Sequence, residues 1–126
     1  MISKETAEHY NWGQGCDGWH LLKDSGLSVI QERMPPATSE VRHYHKRARQ
    51  FFFVLSGVAT IEMNSRRERL HAREGIEIPP GTPHQVFNES DEEVEFLVVS
   101  QPPSHGDRVE VEPLVIEAKA EDAQGR

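Results

Sequence analysis

From Trp19 onward the chain is cut, about every eight to twelve residues, into short runs of β-branched, aromatic and leucine side chains separated by turn residues. That cadence is the pattern of an all-β sandwich or barrel, and it leaves no room for the long amphipathic helices of a bundle. Strands are predicted at 19–23, 27–34, 41–45, 50–56, 58–64, 67–72, 76–78, 84–88 and 93–100. The breaks carry turn chemistry: Asp24-Ser25-Gly26, Pro35-Pro36, Ser56-Gly57, Asn64-Ser65, Pro79-Pro80-Gly81 and Glu89-Ser90-Asp91. With 126 residues, one core burying roughly two-thirds of the unfolded chain's surface is expected. The domain is expected at 19–112, preceded by an arm at 1–18 and followed by a polar tail at 113–126. Within the arm, residues 3–10 (SKETAEHY) read as a short helix with Ser3 as its N-cap. In the tail, Leu114, Val115 and Ile116 are free to pair with another strand, including one of a second subunit, and the last ten residues are expected to be mobile.

Charge and composition exclude several classes of function. The net charge of −7 argues against nucleic-acid binding. Eight basic residues between Arg42 and Arg73 face only Glu62 and Glu68, and a solvated barrel rim is the simpler reading of them. No apolar run approaches the roughly 20 residues of a membrane-spanning helix, and the polar start lacks the apolar core of a signal peptide, so a cytoplasmic protein is expected. Cys16 is the single cysteine, which rules out an intrachain disulfide and a cysteine-based zinc site.

His43 and His45 lie two residues apart on a predicted strand, so both point to one face, at the spacing of a bidentate metal site. If Gln50 faces inward, Phe52 and Val54 follow it, while Phe51, Phe53 and Leu55 face out. His84 follows the turn PPGTP, which can return its strand beside the others. Three imidazoles and a carboxamide oxygen suit one divalent Zn, Ni, Fe or Mn ion far better than Ca or Mg.

These residues, H43-x-H45-x4-Q50-x6-G57 followed by P79-x-G81-x2-H84-x3-N88, closely resemble the two motifs of the cupin superfamily, over about residues 27 to 100. The resemblance implies an antiparallel double-stranded β-helix, or jelly-roll barrel, and a small single-domain form. It also implies His43, His45, Gln50 and His84 as metal ligands. Three positions depart from the motifs. Ala37 and Arg73 stand where each motif begins with glycine, which bears on turn geometry, and Gln50 stands where the usual ligand is glutamate. A neutral amide keeps one oxygen donor and removes an anion, so a bound metal would be a stronger Lewis acid and would favour an anionic oxygen as a further ligand. Glutamine there is similar to cupins acting on unsaturated uronates and to some aromatic polyketide cyclases. The acidic residue that assists the uronate enzymes on a late strand is missing from Phe96–Pro102. Three-histidine cupins that use oxygen imply that redox chemistry also remains open.

Around this set, Gln31, Glu32 and Arg33 lead toward the histidine pair. Whichever parity faces inward offers an acid/base or an anion clamp. His20 is a further candidate for the cavity, whereas His9, His71 and His105 read as surface residues. Phe52, Ile61, Met63, Phe96 and Val98 are expected on an apolar cavity wall, and no catalytic residue is assigned. Outward Phe51, Phe53 and Leu55 call for cover, by a homodimer or by the N-terminal segment with Trp12 and Trp19. The expected function is that of a metal-binding barrel, an enzyme on a small anionic or carbonyl-bearing molecule, of isomerase, lyase, cyclase or dioxygenase type. The alternative is a non-catalytic barrel that binds or senses a small ligand.

Overall fold

Strict alternation along two strands builds the interior. In Arg49–Ser56, Gln50, Phe52 and Val54 are buried, and in Val94–Gln101, Val94, Phe96, Val98 and Ser100 are buried. These strands pair with Gln50 opposite Ser100, Phe52 opposite Val98 and Val54 opposite Phe96, so every inward residue meets another inward residue.

The computed structural model describes residues 1–104 and 106–114. In chain order the strands are β1 (Glu8–Trp12), β2 (Cys16–Lys23), β3 (Ser28–Met34), β4 (Thr38–Ser39), β5 (His43–His45) and β6 (Arg49–Ser56). They continue with β7 (Ala59–Met63), β8 (Arg66–Leu70), β9 (Gly75–Ile78), β10 (His84–Asn88), β11 (Val94–Gln101) and β12 (Arg108–Glu110). One sheet runs β1-β2-β3-β11-β6-β9. The other runs β12-β5-β10-β7-β8, with β4 also on β10, and every pairing is antiparallel. The fold is the all-β double-stranded barrel that the motifs implied. No helix among the described residues is long and apolar enough to cross a membrane.

The predicted N-terminal helix does not form. Ser3 O accepts from Thr6 N (3.0 Å) and Ala7 N (2.8 Å), which closes one turn, and the chain then enters β1 against β2. Tyr10, Asn11 and Trp12 each find a partner across this pair, and those contacts outweigh the weak helical preference of so short a segment. Strands β1, β4 and β12 also lie outside the nine predicted. Val115 and Ile116, considered for strand pairing, and His105 fall outside the described residues.

Apolar side chains of both sheets fill part of the interior, with Met34, Val54, Ile61, Val86, Val94 and Phe96 almost without exposure. At roughly 25 cal/mol per Å² of apolar surface, this cluster is the main source of stability. Polar groups lock its margins. Asn88, the last residue of the second motif, donates through Nδ2 to Met34 O (2.9 Å) and Glu92 O (2.8 Å), while its Oδ1 accepts from Ser90 N (3.0 Å). Arg42 meets Glu62, itself 2% exposed, through Nε at 2.7 Å and Nη2 at 3.3 Å.

The turns explain the motif glycines and their departures. Gly57 has φ +83°, and a Cβ there would sit 2.5 Å from Glu93 O, so no other residue fits. Ala37 (φ 62°) and Arg73 (φ 70°) hold left-handed backbone without glycine, so the turns survive the substitutions. The outer face of β6 is not covered by the N-terminal segment. Trp12 packs against the core, Trp19 meets His9 and Lys4, and Phe51 and Leu55 remain 42% and 39% exposed.

Candidate metal centre

Strand β10 lies between β5 and β7, with His84 directly opposite His43 on one side and Met63 on the other. The two-residue period of β5 sends His43 and His45 to the same buried face. As a result, ligand atoms of His43, His45 and His84 all lie within 4.8 Å of one another. The ring centroids are 4.9 Å (43–45), 4.5 Å (43–84) and 6.0 Å (45–84) apart. Gly81 N–H donates to His45 O (2.7 Å), which ties the turn before His84 to the first motif.

Each imidazole is prepared as a neutral donor. Burial pushes His43 down to about 3 and His45 to about 4, and lowers His84 as well, so all three carry lone pairs at neutral pH. The Nδ1–H of His43 donates to Val41 O (2.7 Å) and that of His84 to Thr82 O (2.9 Å). A carbonyl can only accept, so these bonds fix the tautomer and leave Nε2 as the free donor atom. Gln50 donates through Nε2 to Ser100 Oγ (3.0 Å). His84 Nε2, His45 Nδ1 and Gln50 Oε1 are then buried with no hydrogen-bond partner. An unsatisfied buried polar atom costs about 1–3 kcal/mol. Two of the three belong to one cavity lining and the third, on His84, lies within ligand distance of His45, an arrangement that fits a cation accepting their lone pairs. The segment holding Gln50 in place is braced by Asp107, whose carboxylate accepts from the backbone N–H of Lys46 (3.0 Å), Arg47 (3.0 Å) and Ala48 (2.9 Å).

His43 and His45 open into a cavity of about 580 Å³, lined also by Gln50, Phe52 and Val98, while His84 is fully buried beside them. Of the apolar residues expected on its wall, Phe52 and Val98 stand there, with the Phe52 ring edge-on to His84 at 6.1 Å. Ile61, Met63 and Phe96 do not line it. Ile61 and Phe96 lie inside the core, Phe96 stacked on Phe52 at 5.8 Å, and Met63 packs against that core. Strand parity gave the correct inward face but not the depth along the barrel.

The opposite wall is acidic. Glu32 faces inward, while Gln31 donates outside to Glu95 (2.7 Å) and Arg33 pairs with Asp17 and Glu93 (2.7 Å each). Burial raises the Glu32 carboxyl to about 7, against the opposing pull of a Tyr10 hydrogen bond and Arg108. Glu40 is raised to about 8 by burial and by the charge of Glu32. His20 lines the cavity too. Tyr10, Glu40 and Arg108 were absent from the sequence-based candidates. Tyr10 sat in the expected helix, Arg108 lay beyond the last expected strand, and Glu40 is indistinguishable in sequence from a surface acid.

An antiparallel double-stranded barrel with a neutral histidine cluster under its mouth is the form that cupins take. The model of the cupin domain matches residues 30–100, and the chain belongs to that family. It is 26% identical over 89 residues to the uncharacterized protein MJ1618 of Methanocaldococcus jannaschii, covering 70% of this chain and 71% of that one. Among solved structures, it is similar to the polyketide cyclase RemF of Streptomyces resistomycificus (TM-score 0.78, 19% identity, 98% of this chain and 92% of that one). It is also similar to an RmlC-like cupin of Shewanella frigidimarina (TM-score 0.75, 17% identity, 82% and 91%). At these identities the structural matches establish the fold.

Two outcomes are expected. Protein expressed without a tag carries about one transition-metal ion per chain by elemental analysis; His84→Ala loses it, and Gln50→Glu tightens Mn binding by about 10-fold or more in a competition titration. In metal-free protein, the imidazoles lie below their ordinary 6.5, so the unfolded chain gains protons first and stability falls as pH drops from 6.5. The carboxyls lie above their ordinary 4.5, so stability falls as pH rises toward about 7 and about 8. The melting temperature therefore peaks near pH 6.5, and its alkaline decline is removed in the Glu32→Gln, Glu40→Gln double variant.

Proposed function

We propose that this chain is a metal-dependent enzyme acting on a small anionic or carbonyl-bearing molecule, with isomerase, lyase or cyclase chemistry. The reading rests above all on the unpartnered, buried donor atoms of His45 and Gln50 at the wall of a cavity large enough for a metabolite, with the unpartnered Nε2 of His84 buried within ligand distance of His45. His43, His45, Gln50 and His84 would hold one divalent Zn, Ni, Fe or Mn ion. When bound, that ion supplies Lewis acidity to a substrate oxygen.

The chain's own groups complete the site. Phe52 and Val98 exclude water from the face beside the histidines, and Ile30 extends that apolar floor. Arg108, on the cavity lining, offers a cation to an anionic end, whereas Lys23 is paired with Glu8 (3.2 Å). All four ligands are neutral, so the ion's charge is left for the substrate to balance. The similarity to a protein described as a polyketide cyclase supports a non-redox reaction. The test is a metabolite screen of zinc- and iron-loaded protein with an oxygen electrode. Turnover without oxygen uptake is the expected result; uptake would move the assignment to dioxygenase chemistry, and tight binding without turnover to a sensing role.

The same reading includes a homodimer through the outer face of β6 and β11. Phe51, Leu27 and Val99 line a shallow groove there, flanked by Arg49 and Glu77. Arg49 and Glu77 stand 3.8 Å apart and are more than half exposed, a loose pair that a two-fold axis would let exchange partners with a second copy. Light scattering is expected to give a dimer mass, and Phe51→Glu a monomer.

A further inference from the structure

Three strands carry Tyr10, Gly18 and Glu32 in one cross-strand row, with Tyr10 opposite Gly18 and Gly18 opposite Glu32. The Tyr10 ring lies directly on Gly18, where a Cβ would overlap its Cζ and Oη. Because Gly18 has no side chain, the phenol crosses β2 and donates from Oη to Glu32 Oε2 at 3.3 Å. Glu40, on the segment between β4 and β5, reaches the same cavity, and its Oε2 accepts from Val86 N (3.1 Å). Among the described residues neither carboxyl forms an ion pair; Arg108 acts on both at longer range. Two acids without a counter-ion, held beside a neutral donor cluster, are not explained by packing.

We propose that Glu32 and Glu40 are the proton-transfer pair of this cavity, serving small 2-hydroxy carbonyl compounds that carry an anionic group, with Tyr10 as a positioning residue. This rests on the metal-dependent reading above. Glu32 is the base, because the Tyr10 hydroxyl stabilises its ionised form, and Glu40 the acid, because the charge of Glu32 keeps its proton on. The Glu32 carboxylate takes a proton from the carbon beside the carbonyl. The C–H electron pair becomes a C=C bond, the carbonyl π-pair passes to its oxygen, and Glu40 supplies the proton that oxygen gains. Glu32 then returns its proton to the former carbonyl carbon while Glu40 recovers one from the neighbouring hydroxyl. The product is an isomer, so no oxidant or reductant is required. The other titratable groups around the pair are Glu8 on β1, Cys16, His20 and Lys23 on β2, Arg108 on β12 and the imidazoles of β5.

Hydroxypyruvate in heavy water with zinc-loaded protein is the probe. Deuterium is expected at its C3, read by proton NMR, and Glu32→Gln and Glu40→Gln are each expected to slow it by about 10²–10⁴-fold while zinc content holds. Tyr10→Phe and Gly18→Ala, which remove or displace the same hydroxyl, are expected to shift the acidic limb of the exchange profile, set by ionisation of Glu32, to higher pH together. Infrared spectra of metal-free protein add a readout independent of turnover: a protonated-carboxyl band at neutral pH whose midpoint falls in Glu40→Gln or Glu32→Gln and rises in Tyr10→Phe. Exchange absent from the wild type, or unchanged in both glutamine variants, overturns the proposal, as does the lack of a protonated-carboxyl band. Protein that binds no zinc yet shows the band and its shifts overturns the metal-dependent reading and sustains the shared pair.

Discussion

The pairing of β10 with β5 is the constraint on which the interior depends. With His84 opposite His43, a slip of one residue would turn His84, Val86 and Asn88 outward together, removing a donor, a core residue and the clamp on Met34 and Glu92. The register is held from outside the site. Gly81 bonds to His45 O, Arg42 is gripped by Glu62, and Val111 N donates to Arg42 O (2.9 Å). Polar groups that touch no ligand thus set the distances among those that would.

Two chemically opposed sets of groups share the cavity. Desolvation strips protons from the imidazoles of β5 and β10, and the same desolvation raises the carboxyls of Glu32 on β3 and of Glu40 on the segment between β4 and β5. One physical cause therefore yields neutral imidazoles and proton-retaining carboxyls around a shared space. Gln50 belongs to this economy of charge. A glutamate in its place would add an anion near Glu32 and Glu40 and alter the balance of both sets.

The sequence was most legible where alternation was strict. In β6 the two-residue period placed Gln50, Phe52 and Val54 on one face, conditional on Gln50 turning inward, and the spacing of His43 and His45 placed both of those on one face. It was least legible at edges. Strand β1 (EHYNW) is polar along most of its length because one side meets solvent, and β12 is only three residues long. Depth was also hidden: Ile61 and Phe96 face inward as expected but lie in the core rather than on the cavity wall. For Gln31, Glu32 and Arg33, all polar, alternation had nothing to work on. Only the partners Asp17, Glu93 and Glu95 across the sheet decide which of them turns in.

Ala37 and Arg73 show how such turns persist without glycine. The Ala37 N–H donates to Asn88 O (2.9 Å) and the Arg73 N–H to Val54 O (2.8 Å), so each left-handed residue is pinned to a strand the barrel already needs. Left-handed backbone costs an ordinary residue roughly 1–2 kcal/mol, while glycine gives up about 0.5–1 kcal/mol in chain entropy. The second figure offsets only about half of the first, so each corner keeps a residual strain of roughly 0.5–1 kcal/mol that the bonds to Asn88 and Val54 hold in place, and the barrel's shape is set by its strands rather than by the residue at the turn.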